Sequence, residues 1–378
     1  MSEKFPPQEG GLAVSAARLA HLLAAHGESV QVFSLSGELA PGERQVQTLQ
    51  GLQVHLLGAR RRTDDTLADW FDMLAEQHAA APFDVLHAYY VTQAGFLAVY
   101  AGGYLGLPSV VSARGNDLER AIFDPGKAAH TLYALQHASA ITTNARHLAR
   151  KAQALAPGRQ VSVIPNGVEA QHFQPMARDA ALAAELGLGP EPVIAFVGEA
   201  RAKKGLATLL LAFRQAAQTL TLTPANAAQL WLLGGVRSGE DKELFKVFRK
   251  QNPDLHVHVT PYLPQERLPA CYSLVDLLVM PSLRDGLPNA LLEGMACECA
   301  ILTTPVGGIL DAIRDGENGR LASPGDAPAL AAAMVEILAD AELRRRLGRA
   351  ARQTVLRDFT PQQELQGNLE VYRALVRF

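Results

Sequence analysis

Short apolar runs alternate with longer helix-period segments along the whole chain, and this rhythm leaves few folds open. In the first half the runs are VQVFSL (30–35), QVHLL (53–57), DVLHA (84–88), SVVSA (109–113), AITTN (140–144) and VSVIP (161–165). In the second half they are VIAFVG (193–198), LWLLGG (230–235), HVHVT (256–260), LLVMPS (277–282) and AILTT (300–304). Strands this short and this uniformly apolar are buried on both faces. That requires a parallel sheet with helical crossovers covering it. Helix-period segments such as LAVSAARLAHLLAAHG (12–27) supply the crossovers, and Gly27 stands where a C-cap would. The pattern predicts an α/β protein with two doubly wound parallel sheets. PNGVEAQHFQP (165–175) and the looser stretch to about 191 read as the link.

Length agrees, since 378 residues suit two domains. Hydrophobic residues are 48% and charged ones 19%, enough to build sizeable cores. A net charge of −3 gives no support to nucleic-acid binding by counterion release. Arg60–Arg62 and Arg344–Arg346 are short basic runs that suit solvated faces or an anionic contact. The three cysteines, Cys271, Cys297 and Cys299, are too sparse for a disulfide framework and read as buried thiols in a reducing compartment. No apolar run reaches membrane-spanning length and the start lacks a signal-peptide core, so a soluble, cytoplasmic protein is expected, peripheral to a membrane at most. Oligomeric state is not readable.

One element departs from the rhythm. A doubly wound domain opens on a central strand, a Gly-rich turn and a helix. Here Gly10-Gly11 and the helix are present, but only a polar stretch precedes them. The first strand of this sheet is therefore expected to be short, near Ser2–Phe5, or missing. Unpaired backbone in a sheet centre is costly, so stability should suffer unless something fills the place.

In such folds ligands bind beyond the carboxyl ends of the strands, and the informative residues follow the strands. After 193–198 comes GEARAKKG (198–205): Gly198 allows a tight turn, and Arg201, Lys203 and Lys204 bring cations to a helix start. This suits a phosphate or diphosphate, or a solvated basic turn. After 277–282 comes SLRDGLPNALLE, with Asp285 ahead of a helix, Gly286, Leu287, Pro288 and Asn289 at its mouth, and Glu293 one to two turns along. Backbone N–H groups there could hold an anion or a sugar hydroxyl, and a carboxylate suits a vicinal diol such as a ribose. The bland alternative is an acid favouring the helix dipole and a surface Glu. Gly307-Gly308 follow 300–304 at another helix start. Gly10-Gly11 and SARGND (112–117) occupy matching places in the first domain. His87 either lines a cleft or packs; His55, His256 and His258 read as sheet residues without metal-ligand spacing. No Walker loop, dinucleotide fingerprint or nucleophile elbow is present.

Together these motifs resemble those of the retaining glycosyltransferases of family four, which have the GT-B fold. FPPQEGG resembles the family's first glycine loop, VIPNGVEAQHFQP the opening of its second domain, and FVGEARAKKGLATLLLAF its phosphate-binding turn. DGLPNALLEGMAC resembles the two-acid motif, TPVGGILDAIRDGENGRLASPGD the segment after it, and DFTPQQELQGNLEVYRALV the final helix. The resemblance implies an acceptor-side domain over 1–168, a donor domain over 169–357, a helix over 358–378 that packs back on the first domain, and a cleft between the domains. It implies a nucleotide-sugar co-substrate, a UDP-sugar ahead of a GDP-sugar, and transfer to a glycan, lipid-linked or small-molecule hydroxyl with retention. Glu293 would bind the ribose, Arg201 and Lys204 the diphosphate, and Asp285 the transferred sugar. Gly198, Gly286, Leu287, Pro288, Asn289, Gly307 and Gly308 would line the donor, with Gly10 and Gly11 close to the diphosphate. Arg114, Asp117 and His87 would lie on the acceptor side. No metal or other cofactor is expected. The chain departs from the family in having Asp285 for a common Glu, Glu199 for the usual Arg, Arg114 for a frequent His, Glu298 for Gly and Ala300 for Pro. Two other readings stay open: a nucleotide-sugar epimerase on this fold, and a catalytically inactive binding subunit.

Overall fold

The computed structural model describes residues 1–220 and 228–376. The chain divides into two compact units, Met1–Asn166 with Pro361–Phe378, and Gly167–Thr360. Arg377 and Phe378, the end of the expected closing segment 358–378, lie outside the described residues.

The first unit holds strands β1 (Gln31–Ser36), β2 (Arg44–Leu49), β3 (Leu52–Gly58), β4 (Leu86–Tyr89), β5 (Ser109–Ala113), β6 (Ala140–Thr143) and β7 (Val161–Val163). The second holds β8 (Val193–Val197), β9 (Gln229–Leu233), β10 (Val257–Thr260), β11 (Leu277–Met280), β12 (Ile301–Thr303) and β13 (Arg320–Leu321). The apolar runs mark all of these except β2 and β13.

In the second unit the strands run parallel in the order β10-β9-β8-β11-β12-β13. The first strand of the unit, β8, is central, and the order reverses direction beside it. That reversal is the switch point at which open α/β sheets bind ligands. All five residues of β8 are buried because each face meets its own core. Val193, Ala195 and Val197 join Trp231, Leu278 and Met280 on one face, while Ile194 and Phe196 join Phe213, Leu230 and Leu232 on the other. The two-residue period of the pleat sends successive side chains to opposite layers. Cys271, Cys297 and Cys299 are buried free thiols, as their sparse spacing implies.

In the first unit β4-β5-β6-β7 form a parallel group, and β1-β3-β2 a second group. The expectation of purely parallel sheets needs one correction here. β2 pairs with β3 antiparallel through a two-residue turn in which Gln50 has φ 48° and Gly51 φ 85°. Both positive angles belong to the hairpin turn whose twist matches the strands. RQVQTL is largely exposed, so no apolar run announces it.

The short first strand is reduced to one bridging residue. Ser2 pairs with Ser34 of β1 and with Tyr89 of β4, joining the two groups. Its N–H donates to the Phe33 carbonyl at 3.0 Å, and the Tyr89 N–H donates to the Met1 carbonyl at 2.8 Å. Beside it lies a cavity of about 350 Å³ whose walls include Leu19, Ala20, Phe33, Leu86 and Tyr89.

The helix Gly11–His26 ends on Gly27, whose φ of 104° is the left-handed cap conformation. The helix Pro361–Leu375 packs against it in the same unit. Arg18 Nε donates to Glu364 Oε2 at 2.7 Å, and the Glu364 side chain is fully buried. Among the described residues, no helix is long and apolar enough to cross a membrane.

Candidate functional site

The main constellation lies in the second unit, where the turn after β8 meets the loops after β11 and β12. β8 is followed by Gly198, whose N–H donates to the Leu233 carbonyl at 2.7 Å. A single turn over Ala202–Lys204 follows, closed by Gly205 at φ 77°. A Cβ on Gly205 would fall 1.9 Å from the Pro281 carbonyl oxygen, so only glycine lets the turn press on the β11 loop. The Leu283 N–H donates to the Lys203 carbonyl at 3.0 Å and tightens the same contact.

This packing brings Lys204 to Asp285. The ammonium donates to Asp285 Oδ2, Ser282 Oγ donates to the same oxygen at 3.3 Å, and the Gly286 N–H donates to Oδ1 at 3.1 Å. Thr304 Oγ1 in turn donates to the Ser282 carbonyl at 2.5 Å. Asp285 is buried, yet its charge is matched by Lys204 and its lone pairs by the Ser282 hydroxyl and the Gly286 N–H, as a buried carboxylate requires. The β12 loop joins this array through the Gly308 N–H, which donates to the Gly286 carbonyl at 2.9 Å. Gly307, at φ 57°, makes the preceding bend.

Leu287 is buried, and Pro288 is extended rather than helical. The helix runs Asn289–Ala296, so Pro288 stands one position ahead of its first turn, at the helix mouth. Glu293 lies on the second turn, 6% exposed, and accepts a hydrogen bond from the Tyr272 hydroxyl at 2.9 Å. Burial, and then the Glu293 charge, hold the Tyr272 phenol well above its usual pKa, so it remains a donor. Gly294 admits this helix to the sheet, since a Cβ there would sit 2.3 Å from Leu278 Cδ2.

Arg201 has a different partner. Its guanidinium pairs with Glu199 at 3.2 Å, while its buried Nε has no hydrogen-bond partner in the structure. Two of the turn's three cations, Arg201 and Lys204, thus face a carboxylate each. Chemically, the array offers positive charge and glycine backbone for a diphosphate, with Asp285 and Glu293 as acceptors for hydroxyls.

In the first unit, Gly10 precedes the helix Gly11–His26 with φ 123°, a conformation suited to glycine. Arg114 lies over the Tyr89 ring at 3.8 Å and donates from a terminal guanidinium nitrogen to Asn166 Oδ1 at 3.0 Å. Asp117 is fully buried. Its carboxylate accepts from the N–H groups of Arg114 (3.0 Å), Gly115 (2.8 Å), Leu118 (3.0 Å) and Val91 (3.4 Å). Burial raises its pKa to about 6 against the opposing effect of these donors. Asp117 therefore shapes the loop that carries Arg114. His87 lies beside the same Tyr89 ring, at 5.7 Å between centroids: one of its ring nitrogens contacts the Tyr372 hydroxyl at 2.5 Å and the other Ser112 Oγ at 2.7 Å. Burial holds it well below its usual pKa, hence neutral.

Sequence reasoning missed Tyr272, Ser282, Thr304 and Asn166. Only the fold brings Tyr272 to Glu293, across 21 residues. Ser282 could have been found, since it stands three residues before Asp285 at a strand end.

Residues 10–167 match the family described as "Glycosyl transferase 4-like domain", and residues 180–354 the family described as "Glycosyl transferases group 1". A D-inositol 3-phosphate glycosyltransferase of Nocardia farcinica is 32% identical over 193 residues, which cover 50% of this chain and 42% of the relative. The chain spans about half the length of the first curated relatives it matches. Sucrose-phosphate synthase from Thermosynechococcus elongatus superposes with a TM-score of 0.79 at 23% identity, covering 97% of this chain and 94% of that one. Anabaena Alr3699/HepE, in complex with UDP and glucose, gives 0.80 at 16% identity with 99% of each chain covered. At these identities the structural likeness shows a shared fold.

Proposed function

The chain belongs to the group 1 glycosyltransferases, retaining enzymes of family four with the GT-B fold, and on that premise we propose that it moves a sugar from a nucleotide-sugar to an acceptor hydroxyl with retention of configuration. The observation that carries the reading is the Lys204–Asp285 pair at the end of the central strand β8, with buried Glu293 two turns further on. Glu293 accepts the ribose hydroxyls. Lys204, Arg201 and the glycine backbone at Gly198, Gly286, Gly307 and Gly308 receive the diphosphate, with Leu287, Pro288 and Asn289 shaping the mouth of the helix. Asp285 orients the hydroxyls of the transferred ring. As the glycosidic bond to phosphate breaks, negative charge grows on the leaving oxygen. Fixed cations stabilise that charge more than they stabilise the bound donor, which is what lowers the barrier. The acceptor oxygen then bonds to the anomeric carbon on the face the diphosphate leaves, and its proton passes to the departing phosphate oxygen.

In this proposal the two cations carry the leaving-group charge without a metal ion. A UDP-sugar is the favoured donor, supported by the UDP in the Anabaena structure. In the first unit, Arg114 contacts the acceptor on a loop held by Asp117. His87, already engaged by Tyr372 and Ser112, supports that strand end. The free thiols support a cytoplasmic location. A peripheral membrane contact is supported by the exposed rings of Tyr100 and Tyr104, which meet Phe71 edge-on.

The test is incubation of the full chain with a panel of UDP-, GDP- and ADP-sugars, with and without hydroxyl acceptors, followed by NMR of the anomeric protons. Acceptor-dependent product with the donor's own anomeric configuration is expected. An altered sugar formed from donor alone would establish an epimerase, and no conversion in any mixture an inactive binding subunit.

A further inference from the structure

The cations of the 198–205 turn are not equivalent, and the difference lies in their counter-charges. Lys204 faces Asp285, a buried carboxylate held by Ser282 and Gly286 and assigned above to the transferred sugar. Arg201 faces Glu199, a half-exposed carboxylate two residues earlier whose partner is this guanidinium at 3.2 Å. Arg201 is itself partly buried, and its Nε has no hydrogen-bond partner in the structure, so its donors are not exhausted by the pair.

From this we infer that Glu199 is an electrostatic brake on the diphosphate site: it occupies Arg201 when the site is open, opposes the bound diphosphate, and weakens the hold on the diphosphate left after transfer. The inference rests on the reading of this turn as the diphosphate site. Its physical basis is simple. A diphosphate that takes Arg201 through its remaining donors or in place of Glu199 keeps that carboxylate as a neighbour, because Glu199 follows Gly198 just after β8 and the next residue is tied down. Ala200 bridges Val236, donates its N–H to the Gly235 carbonyl at 2.9 Å and accepts from the Arg237 N–H at 3.0 Å. The Glu199 backbone is therefore fixed on both sides. Its charge stays near the phosphates, where like charges repel. Other ionisable groups meet the same turn: Asp241 accepts the Ala202 N–H at 2.8 Å, and Lys203 borders it through Leu283. Asp241 is committed to a backbone donor, which leaves Glu199 as the carboxylate paired with a phosphate-binding cation and lacking a ligand role of its own. The device favours release of product over retention, a choice that matters where product departure limits turnover.

The experiment titrates inorganic pyrophosphate, which removes any dependence on base or sugar, into the full chain by calorimetry. Wild type, Glu199→Gln, Arg201→Gln and Lys204→Gln are compared at about 50 mM and about 500 mM salt, where screening differs strongly. Glu199→Gln keeps size and polarity and removes only the charge. It is expected to bind pyrophosphate about threefold to tenfold tighter at low salt, with the ratio shrinking toward one at high salt. Equal or weaker binding by Glu199→Gln at low salt overturns the brake. That result would show Glu199 merely holding Arg201 in place. If Arg201→Gln and Lys204→Gln both bind pyrophosphate as wild type does, the turn is not the diphosphate site, and the reading beneath the inference fails instead. Absence of binding by wild type and Glu199→Gln alike overturns both.

Discussion

The two sheets of this protein are built on one plan but differ at their centres. In the second unit β8 is fully buried, paired on both sides, and followed by a turn that glycine presses into the neighbouring loop. In the first unit the place between β1 and β4 is bridged by Ser2, with Met1 beside it. Its chemistry-bearing loop follows β5, and it is held by one carboxylate with four backbone donors. A complete central strand gives a site rigid enough to fix charges against one another. An abbreviated one leaves the unit dependent on single hydrogen bonds. Changes in the second unit should therefore be felt in binding and rate, and changes in the first in stability.

The largest effect should come from Lys204→Ala. Under the proposed function it removes leaving-group stabilisation; it also strips Asp285 of its counter-ion, and transfer should slow about 10²- to 10³-fold. Steady-state kcat on the best donor checks this, and a loss below tenfold would place the leaving-group charge elsewhere.

On the other side of the comparison stands Asp117. Its folded pKa of about 6 exceeds the ordinary carboxylate value, so the folded state keeps a proton that the unfolded chain has released. That contribution is fully present below about pH 4 and is lost as pH rises through 6, amounting to about 3 kcal/mol. Urea denaturation across this window should show the stability difference between wild type and Asp117→Asn changing in that direction. A difference independent of pH would remove the assignment.

Ser2→Pro deletes the N–H that donates to Phe33 within the bridge. A loss of about 2 kcal/mol in the first unit is expected from the missing bond and the altered backbone, with the second unit's transition unmoved. Equal loss in both units would erase the contrast.

Tyr272→Phe is the smallest change. Losing one hydrogen bond to Glu293 should weaken nucleoside diphosphate binding by about 1 kcal/mol. The penalty for a 2′-deoxy nucleotide should shrink with it. An unchanged deoxy penalty would show that Tyr272 does not position the ribose carboxylate.

Much of this was legible before the fold was known, for definite reasons. Buried parallel strands must be apolar on both faces, so SVVSA and VIAFV stand out as runs. Their ends were overestimated, as in LLVMPS for Leu277–Met280, because Pro281 and Ser282 leave the ladder while remaining buried. β2 was invisible because an exposed antiparallel edge has no such run. DGLPNALLE and GEARAKKG were readable because glycine, acid and base cluster at strand ends. The partner of Glu293 was not, since the Tyr272 contact exists only once two helices pack on one sheet. The depth of Asp117 was hidden too: an acid in SARGND looks like a surface group until four N–H donors close on it.

The central claim, a nucleotide-sugar site anchored by Glu293, is tested most directly by melting the full chain with UDP, GDP and ADP, as wild type and as Glu293→Ala. At about a hundred times its dissociation constant, the cognate nucleotide should add about 2.7 kcal/mol to wild type. Glu293→Ala should lose most of that gain while melting cooperatively without ligand. Equal stabilisation of both proteins, or no stabilisation of wild type by any nucleotide, would contradict the account.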